Sequence, residues 1–387
     1  MDATLLATSE LVTNALVHAG PDVELSVWAT AQAVRVEVSD RSAHLPAARL
    51  YAITSSTGRG LSLVEHSVDR WGATPRPDGK SVWFEIGPAS WPVAQTKPIS
   101  GSSSEDSVLD VTLRAFPVLM HWAWQEHASA LLREYLLFAY EDPSVLAGHA
   151  QASDALNVLH EQMPRPELPD DPDALLNRAL EPAVTASEVL LSVPLRSVPH
   201  FHTLQLLLRK ATQAASQHQF LSPPTQPEIQ EMREWLCREV ERQGHGLAPT
   251  AWDPQAQVQT PAGDADQLSG RYEALADVAE AIIVTNATSV IVAVSPAALG
   301  VLGYQQSSDL VGRRVLVVVP SRYHQAHIAG TTLNATNGRD TLLGVPLTVP
   351  FVLADGREMP MQLHVVPRLL DTGDGVFVAT ITPAARA

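Results

Sequence analysis

The spacing of apolar residues divides the chain into three regions, and the first of them reads as a helix followed by strands. Apolar positions recur at helical spacing up to Gly20, which stands where a helix C-cap is expected. Alternating apolar and polar residues predict strands at 23–29 and 33–40. A Gly-rich stretch, GRGLSLVEHSVDRWG (58–72), then predicts a short helix before a last strand, KSVWFEI. We therefore predict a two-layer α+β domain over residues 1–87.

The middle region is bounded by two stretches with the composition of linkers. Residues 88–107 are rich in Pro, Ser and Gly, and residues 253–267 are similar, which favours solvated, non-helical chain. Between them, residues 108–252 read as nearly all helix, with Pro117 at the start of the first helix. The segment EVLLSVP (188–194) is ambiguous between a short strand and a helix end. The pattern predicts a central helical bundle.

The last region, residues 268–387, alternates short apolar runs with turns. A helix is predicted first, followed by strands in five runs: IIVTN, VIVAVS, VPLTVPFVLADG, EMPMQLHVVPR and GVFVATITP. Helical turns are predicted between the second and third of these strands. The expected fold is an antiparallel sheet with helices on one side.

Composition and charge narrow the class of protein. A hydrophobic content of 45% with 18% charged residues is ordinary for a globular chain of 387 residues. The 42 acidic residues against 26 basic ones give a formal charge of −16, which repels phosphate backbones and anionic lipid headgroups. We therefore expect no nucleic-acid and no membrane partner. The single Cys237, the absence of a signal-peptide pattern and the absence of a long apolar stretch predict a cytoplasmic protein.

Polar residues in the opening helix are candidates for chemistry. Glu10, Asn14 and His18 follow each other at intervals of four residues, so they share one face of the helix. An Asn side-chain oxygen suits Mg²⁺, which prefers oxygen ligands and binds together with phosphates. A Glu next to a hydroxyl suits general-base catalysis. The alternative is a solvated polar stripe on a surface helix, which the helix alone does not exclude.

Two further features of the first region suit a nucleotide. Asp40 ends an alternating strand, where a carboxylate can accept a hydrogen bond from an exocyclic amine such as that of adenine. Gly58 and Gly60 precede a helix, and such a loop brings backbone amides and a helix N-terminus close to phosphate. Each feature alone has an ordinary explanation, as a strand-ending Asp or a tight turn.

The order of these motifs is more specific than any one of them. ELVTNALVHAG, VEVSDRS, TGRGLSLVEHSVDRWG and GKSVWFEI resemble, in that order, the histidine-kinase-like ATPase superfamily, and most closely the anti-sigma-factor serine kinases and their actinobacterial relatives. The resemblance implies ATP and Mg²⁺ as cofactors and serine/threonine kinase activity. It implies as partners a sigma factor and its protein antagonist. The residues it assigns are Glu10 as catalytic base, Asn14 as Mg²⁺ ligand, Asp40 for adenine, Gly58, Gly60 and Leu61 for the phosphates, and Lys80.

Two departures from the family pattern keep a second hypothesis open. The Asp-x-Gly adenine motif is Asp40-Arg41-Ser42 here, and the opening helix lacks the strand and helix that family members place before it. We therefore expect an ATPase domain shortened at its N-terminus. The alternative is a non-enzymatic sensor or scaffold with a degenerate ATPase domain. A histidine kinase is disfavoured, because no phosphoacceptor helix precedes the ATPase motifs.

The C-terminal region resembles a PAS domain over its whole length. The resemblance implies small-molecule binding or pairing of domains, so we expect a homodimer formed through the PAS or the helical region. The motifs that carry it are Ala281-Ile282-Ile283-Val284, Ser295-Pro296, Leu302-Gly303-Tyr304, Asp309-Leu310-Val311-Gly312-Arg313, Val319-Pro320, His327 and Asp355-Gly356-Arg357.

One residue of this region raises the question of haem. The segment SRYHQAHIAG resembles the helix that carries the axial histidine of oxygen-sensing haem PAS domains, with His327 at the matching position. The arginines that those domains place near the haem correspond to Leu333 and Leu347 here, which disfavours haem. A histidine that bonds backbone or packs is the preferred interpretation.

Overall fold

The architecture comes from a computed structural model. It describes residues 2–19, 23–40, 64–65, 67–76, 79–88, 107–164, 166, 185–217, 219–253, 272, 274–275, 277–337, 343–370 and 375–384. Most of both predicted linkers falls outside these ranges. In the part of the chain so described, no helix is both long and apolar enough to cross a membrane.

In the described part of the N-terminal region, a long helix packs on a four-stranded antiparallel sheet of order β1-β2-β4-β3. Its elements are α1 (Asp2–Ala19), β1 (Glu24–Ala29), β2 (Val34–Asp40), β3 (Arg70–Arg76) and β4 (Gly79–Ile86).

The helix and the sheet share an apolar core because β2 and β4 alternate apolar and polar residues. Val36 and Val38 of β2 lie on the face turned to α1, whose Ala7, Leu11 and Ala15 are buried against them. Both layers of the predicted α+β unit are therefore present among the described residues.

Strand β3 is a correction to the sequence-based prediction, which carried the second helix as far as Gly72. A strand containing Gly and Pro has weak strand propensity, so the pattern did not indicate it. The strand exists because it pairs along all of β4, with Gly72 opposite Trp83. A side chain at Gly72 would meet the Trp83 indole, since a Cβ there would lie 2.8 Å from the ring.

In its described residues, the middle region forms two units, each with a strand followed by two helices. The strands pair antiparallel with each other, Val111 facing Leu191. The first unit is β5 (Val108–Phe116), α2 (Val118–Phe138) and α3 (Pro143–Gln162), and the second is β6 (Ala186–Pro194), α4 (Val198–Ser216) and α5 (Pro227–Gly244).

The prediction of a nearly all-helical middle region was therefore incomplete. Val111 and Leu113 of β5 and Leu191 and Val193 of β6 turn inward and are buried in the same core as the helices. The ambiguous segment EVLLSVP is a strand, because alternate residues meet the helices while those between stay exposed.

The C-terminal region is an antiparallel five-stranded sheet of order β8-β7-β11-β10-β9. Counted within the region, this order is 2-1-5-4-3, and the helices lie between the second and third strands, as predicted. The elements are β7 (Ile282–Asn286), β8 (Ile291–Val294), α6 (Pro296–Leu302), α7 (His324–Asn337), β9 (Leu347–Val352), β10 (Glu358–Leu369) and β11 (Gly375–Pro383).

Candidate functional site

Four of the residues predicted for ATP belong to described elements of the N-terminal region. Glu10 and Asn14 are half-buried on α1, which packs on β2 and β4. Asp40 ends β2 and faces Lys80 of β4 in register. Asp40 and Lys80 lie on the face of the sheet that α1 covers, because their register positions alternate with the outward-facing residues. The fold thus brings the helix motif and the strand motif to one side of the sheet.

Asp40 and Lys80 form a buried ion pair. The Lys80 Nζ lies 3.2 Å from Asp40 Oδ1, and both side chains are almost fully buried. Burial lowers the pKa of Lys80, while the charge of Asp40 and its hydrogen bond act in the opposite direction. The carboxylate predicted for adenine therefore already has a cationic partner. Sequence reasoning named both residues but not their pairing, which only the strand register reveals.

The predicted phosphate loop lies outside the described residues. Gly58, Gly60 and Leu61 all fall between Asp40 and Val64, where the structure gives no description. Their assignment stays a prediction.

The opposite face of the same sheet carries a charged network that the sequence did not indicate. Arg35 donates to Glu85 at 2.7 Å, and its guanidinium stacks on the Trp83 ring at 4.2 Å. Arg70 pairs with Glu85 at 2.9 Å, and Arg35 also reaches Glu37 at 3.3 Å. Because the guanidinium and carboxylate charges neutralise one another, Arg35 and Glu85 can be buried on this face.

Several buried polar groups of the middle region could carry chemistry, and the first of them is its cysteine. Burial raises the pKa of the Cys237 thiol to about 12, so it remains protonated and unreactive. Arg233 is fully buried, and its guanidinium has no hydrogen-bond partner among the described residues. Within those residues there is also no group of three or more His, Cys, Asp or Glu side chains placed to hold a metal ion.

Three histidines of the middle region are buried in the neutral form. His121 packs between Phe116 and Trp124, with ring centroids 4.9 and 5.2 Å away. Burial, aided by the charge of nearby His160, lowers its pKa to about 3. Burial likewise lowers the pKa values of His127 and His149 to about 4, and for His127 the charge of Arg233 adds to the effect.

His327, the candidate ligand residue of the C-terminal region, lies on α7 beside a cation. Burial, followed by the charges of Arg314 and His324, lowers the pKa of His327 to about 4. Its Nδ1 is buried and has no partner in the described part of the chain. The interpretation of His327 as a histidine that packs without haem stays a prediction.

The helix α7 packs on the middle region. Ala329 and Leu333 of α7 share an apolar cluster with Leu119 and Ala123 of α2, and Ala326 and Trp122 pack against it. Leu316 and Ile328 belong to the core of the middle region itself. A hydrogen-bond contact of 3.1 Å joins His127 Nδ1 to Thr336 Oγ1.

A buried polar cluster completes this contact. Arg314 donates to both carboxylate oxygens of Glu228, at 2.9 and 2.6 Å, and to Gln226 Oε1 at 2.7 Å. Gln226 in turn donates through Nε2 to Thr331 at 2.5 Å and to Thr332 at 3.3 Å. None of these five residues was predicted, because the partners lie far apart in sequence and no local pattern marks them.

Similarity to known proteins is found among solved structures and covers about a third of this chain. No protein-family model matches the chain, and no curated protein matches it. Among solved structures, the PAS domain of an HTR-like protein from Haloarcula marismortui is 21% identical, with 31% of this chain and 93% of that chain covered and a TM-score of 0.23.

Two other solved structures are similar over the same share of the chain. The PAS domain of the fruit-fly ELK potassium channel is 16% identical, with 32% and 99% covered and a TM-score of 0.22. The PAS domain of nitrogen regulation protein NR(II) from Vibrio parahaemolyticus is 16% identical, with 30% and 97% covered and a TM-score of 0.21. We transfer no function from these matches. The description of the region as PAS-like rests on its own strand order and on the position of its helices.

Proposed function

We propose that the chain is a signalling regulator in which the PAS-like region acts, through the middle region, on an N-terminal region that binds ATP with Mg²⁺. The observation that carries the proposal is that the middle region contacts both of the others. Its α2 packs against α7 of the PAS-like region. Its α3 packs against α1, the helix that carries Glu10 and Asn14. A displacement at either contact has a direct mechanical route to the other, through the packed core of the middle region.

The resemblance to anti-sigma-factor kinases supplies the roles within this proposal. Asn14 would hold Mg²⁺, which when bound offsets the charge of the phosphates. Glu10 would accept the proton of a Ser or Thr hydroxyl as that oxygen attacks the γ-phosphorus and ADP departs. Asp40 would receive the adenine amine while keeping Lys80 as its counter-charge. The partners would be a sigma factor and its protein antagonist, and a second copy of the chain.

ATP binding is the first property to test. We expect the Asn14→Ala variant to lose Mg²⁺-dependent ATP affinity by at least about tenfold, because one oxygen ligand of the cation disappears. Calorimetric titration with and without Mg²⁺ measures this, and circular dichroism checks that the variant is folded. Thr13→Ala is the matched control, since Thr13 is the exposed neighbour on the same helix. Equal ATP affinity in Asn14→Ala and Thr13→Ala would contradict the assignment of the site.

A specific observation favours a second candidate function, that of a non-enzymatic sensor or scaffold. The buried pairing of Asp40 with Lys80 at 3.2 Å already gives the carboxylate a partner, which a nucleotide must share. In a scaffold this pair would serve only to satisfy two buried charges. Absence of ATP binding to the folded chain, with or without Mg²⁺, would favour this candidate over the first.

A further inference from the structure

The two sides of the buried polar cluster are anchored in different regions of the chain. Arg314 is held within the PAS-like region, because its backbone forms an isolated bridge with Val290 and the next amide, that of Val315, donates to the carbonyl of Ser289. Gln226 is the N-cap residue of α5, and Glu228 lies in the first turn of that helix. A carboxylate in the first turn of a helix is favoured by the helix dipole. Each partner is thus held in place by its own region.

The contact around this cluster contributes little net stability, but it selects one arrangement of the two regions. Alanines supply much of the apolar packing between α7 and α2, namely Ala123, Ala326 and Ala329. A buried ion pair adds little net stability, since the cost of removing two charges from water offsets their attraction. It does enforce one arrangement, because separation of the partners inside the protein would leave each charge unpaired.

The closed contact also leaves polar atoms unsatisfied. Arg314 Nη1, His327 Nδ1 and His127 Nε2 are buried there, and none has a hydrogen-bond partner among the residues that the structure describes. If the two regions moved apart, water would form hydrogen bonds with all three atoms. These new hydrogen bonds would offset part of the free energy that is lost when the contact breaks. Contacts of this kind between regions of one chain permit relative motion by default.

We propose that the Arg314–Glu228 pair is a latch, an ion pair that keeps α7 of the PAS-like region packed on α2. When the pair breaks, the PAS-like region moves away from the middle region while both regions stay folded. The interaction that forms the latch is the bidentate pairing of the Arg314 guanidinium with the Glu228 carboxylate. Gln226 Oε1 provides a third acceptor for the guanidinium. The latch would be the step by which an event in the PAS-like region reaches the middle region. It stands independently of ATP binding by the N-terminal region.

Distance measurements in the full chain test the latch. Spin labels on Leu137→Cys and Leu369→Cys, two strongly exposed positions on α2 and β10, report the separation of the regions. Cys237 is fully buried as a protonated thiol and does not compete for the label. We expect one narrow distance distribution for the doubly labelled parent chain. In Arg314→Gln we expect a second, longer distance, with the open-to-closed ratio raised by roughly two orders of magnitude, because one partner of a buried pair is gone.

Two further variants and a control make the test decisive. Glu228→Gln keeps the shape of the side chain and removes its charge, so it should raise the same ratio by about tenfold. The exchange Arg314→Glu with Glu228→Arg should return the ratio toward that of the parent. Arg322→Gln is the control, since Arg322 pairs with Glu358 within the PAS-like region and both are well exposed.

Each outcome bears on the proposal. Unchanged distances in both Arg314→Gln and Glu228→Gln, or an equal shift in Arg322→Gln, would overturn it. Hydrogen exchange of β9–β11 reports whether the PAS-like region stays folded. If Arg314→Gln unfolds that region, the distance distribution of Glu228→Gln decides alone.

Discussion

We expect the middle and C-terminal regions to lose most of their stability between pH 6.5 and pH 4. Four histidines have lowered pKa values: the buried His121 at about 3, the buried His127 and His149 at about 4, and the half-buried His327 at about 4. In the unfolded chain each titrates near its ordinary value of 6.5, so unfolding takes up protons once the pH falls below that value. Their contribution to stability is therefore complete above pH 6.5 and declines as the pH falls toward the folded pKa values.

The size of this effect rivals the whole stability of an ordinary domain. A pKa lowered from 6.5 to about 4 corresponds to about 3 kcal/mol for each histidine at low pH. Four such residues amount to on the order of 10 kcal/mol, within the usual range of total unfolding free energies. Carboxylates whose pKa values are lowered, such as those of Asp142 and Glu358, add a loss in the same direction but below pH 4.5.

A single substitution measures how much one histidine contributes to the pH dependence of the free energy of unfolding. His121→Phe keeps an aromatic ring beside Phe116 and Trp124 and removes the titrating group. Relative to the parent chain it should gain about 2 kcal/mol more at pH 5 than at pH 7.5. Urea unfolding at the two pH values, followed by hydrogen exchange of α2 amides, measures the difference. Leu206→Phe, at an exposed position on α4, adds an aromatic ring without removing a titrating group and should show no such difference; an equal gain there would contradict the explanation.

The elements of the PAS-like region could be predicted because each is signalled locally. Every predicted strand, from IIVTN to GVFVATITP, overlaps a strand of the described structure along nearly all of that strand's length. The strands β3 and β5 were missed for opposite reasons. β3 contains Gly72 and Pro75 and is a strand only because it pairs with β4, whereas β5 alternates clearly but stands next to a long helical pattern that dominated the interpretation.

The features that could not be predicted from the sequence depend on contacts between residues that lie far apart in the chain. Arg314 meets Glu228 across 86 positions of sequence, and no periodicity relates the two. The same holds for Asp40 and Lys80, each singled out from its own motif and yet joined only by strand register. The candidate ATP residues of α1 and β2 could be named in advance, but the pairing of charges that controls their availability could not.

Replacing Arg233 with methionine should stabilise the protein. Arg233 is fully buried on α5, and the nearest carboxylate oxygen given for it in the described part of the chain, Glu234 Oε1, lies 3.7 Å away, beyond hydrogen-bond distance. A buried charge without good partners costs several kcal/mol, and similar replacements by apolar residues of like volume are neutral or stabilising by about 1–4 kcal/mol. We therefore expect Arg233→Met to raise the free energy of unfolding by about 1–3 kcal/mol, as measured by urea titration. Arg238→Met, exposed on the same helix, should change it by less than about 0.5 kcal/mol.

The same substitution carries a second, spectroscopic test. The charge of Arg233 helps to lower the pKa of His127, although burial is the larger cause. Removal of the guanidinium should therefore raise the pKa of His127 above its value of about 4 in the parent, while burial keeps it below 6.5. Histidine NMR titration measures this, with Arg238→Met again as the control. A loss of stability in Arg233→Met together with an unchanged pKa of His127 would mean that the guanidinium has a partner of its own. In that case the buried cation would be a structural anchor of α5, and its cost of burial would already be met within the fold.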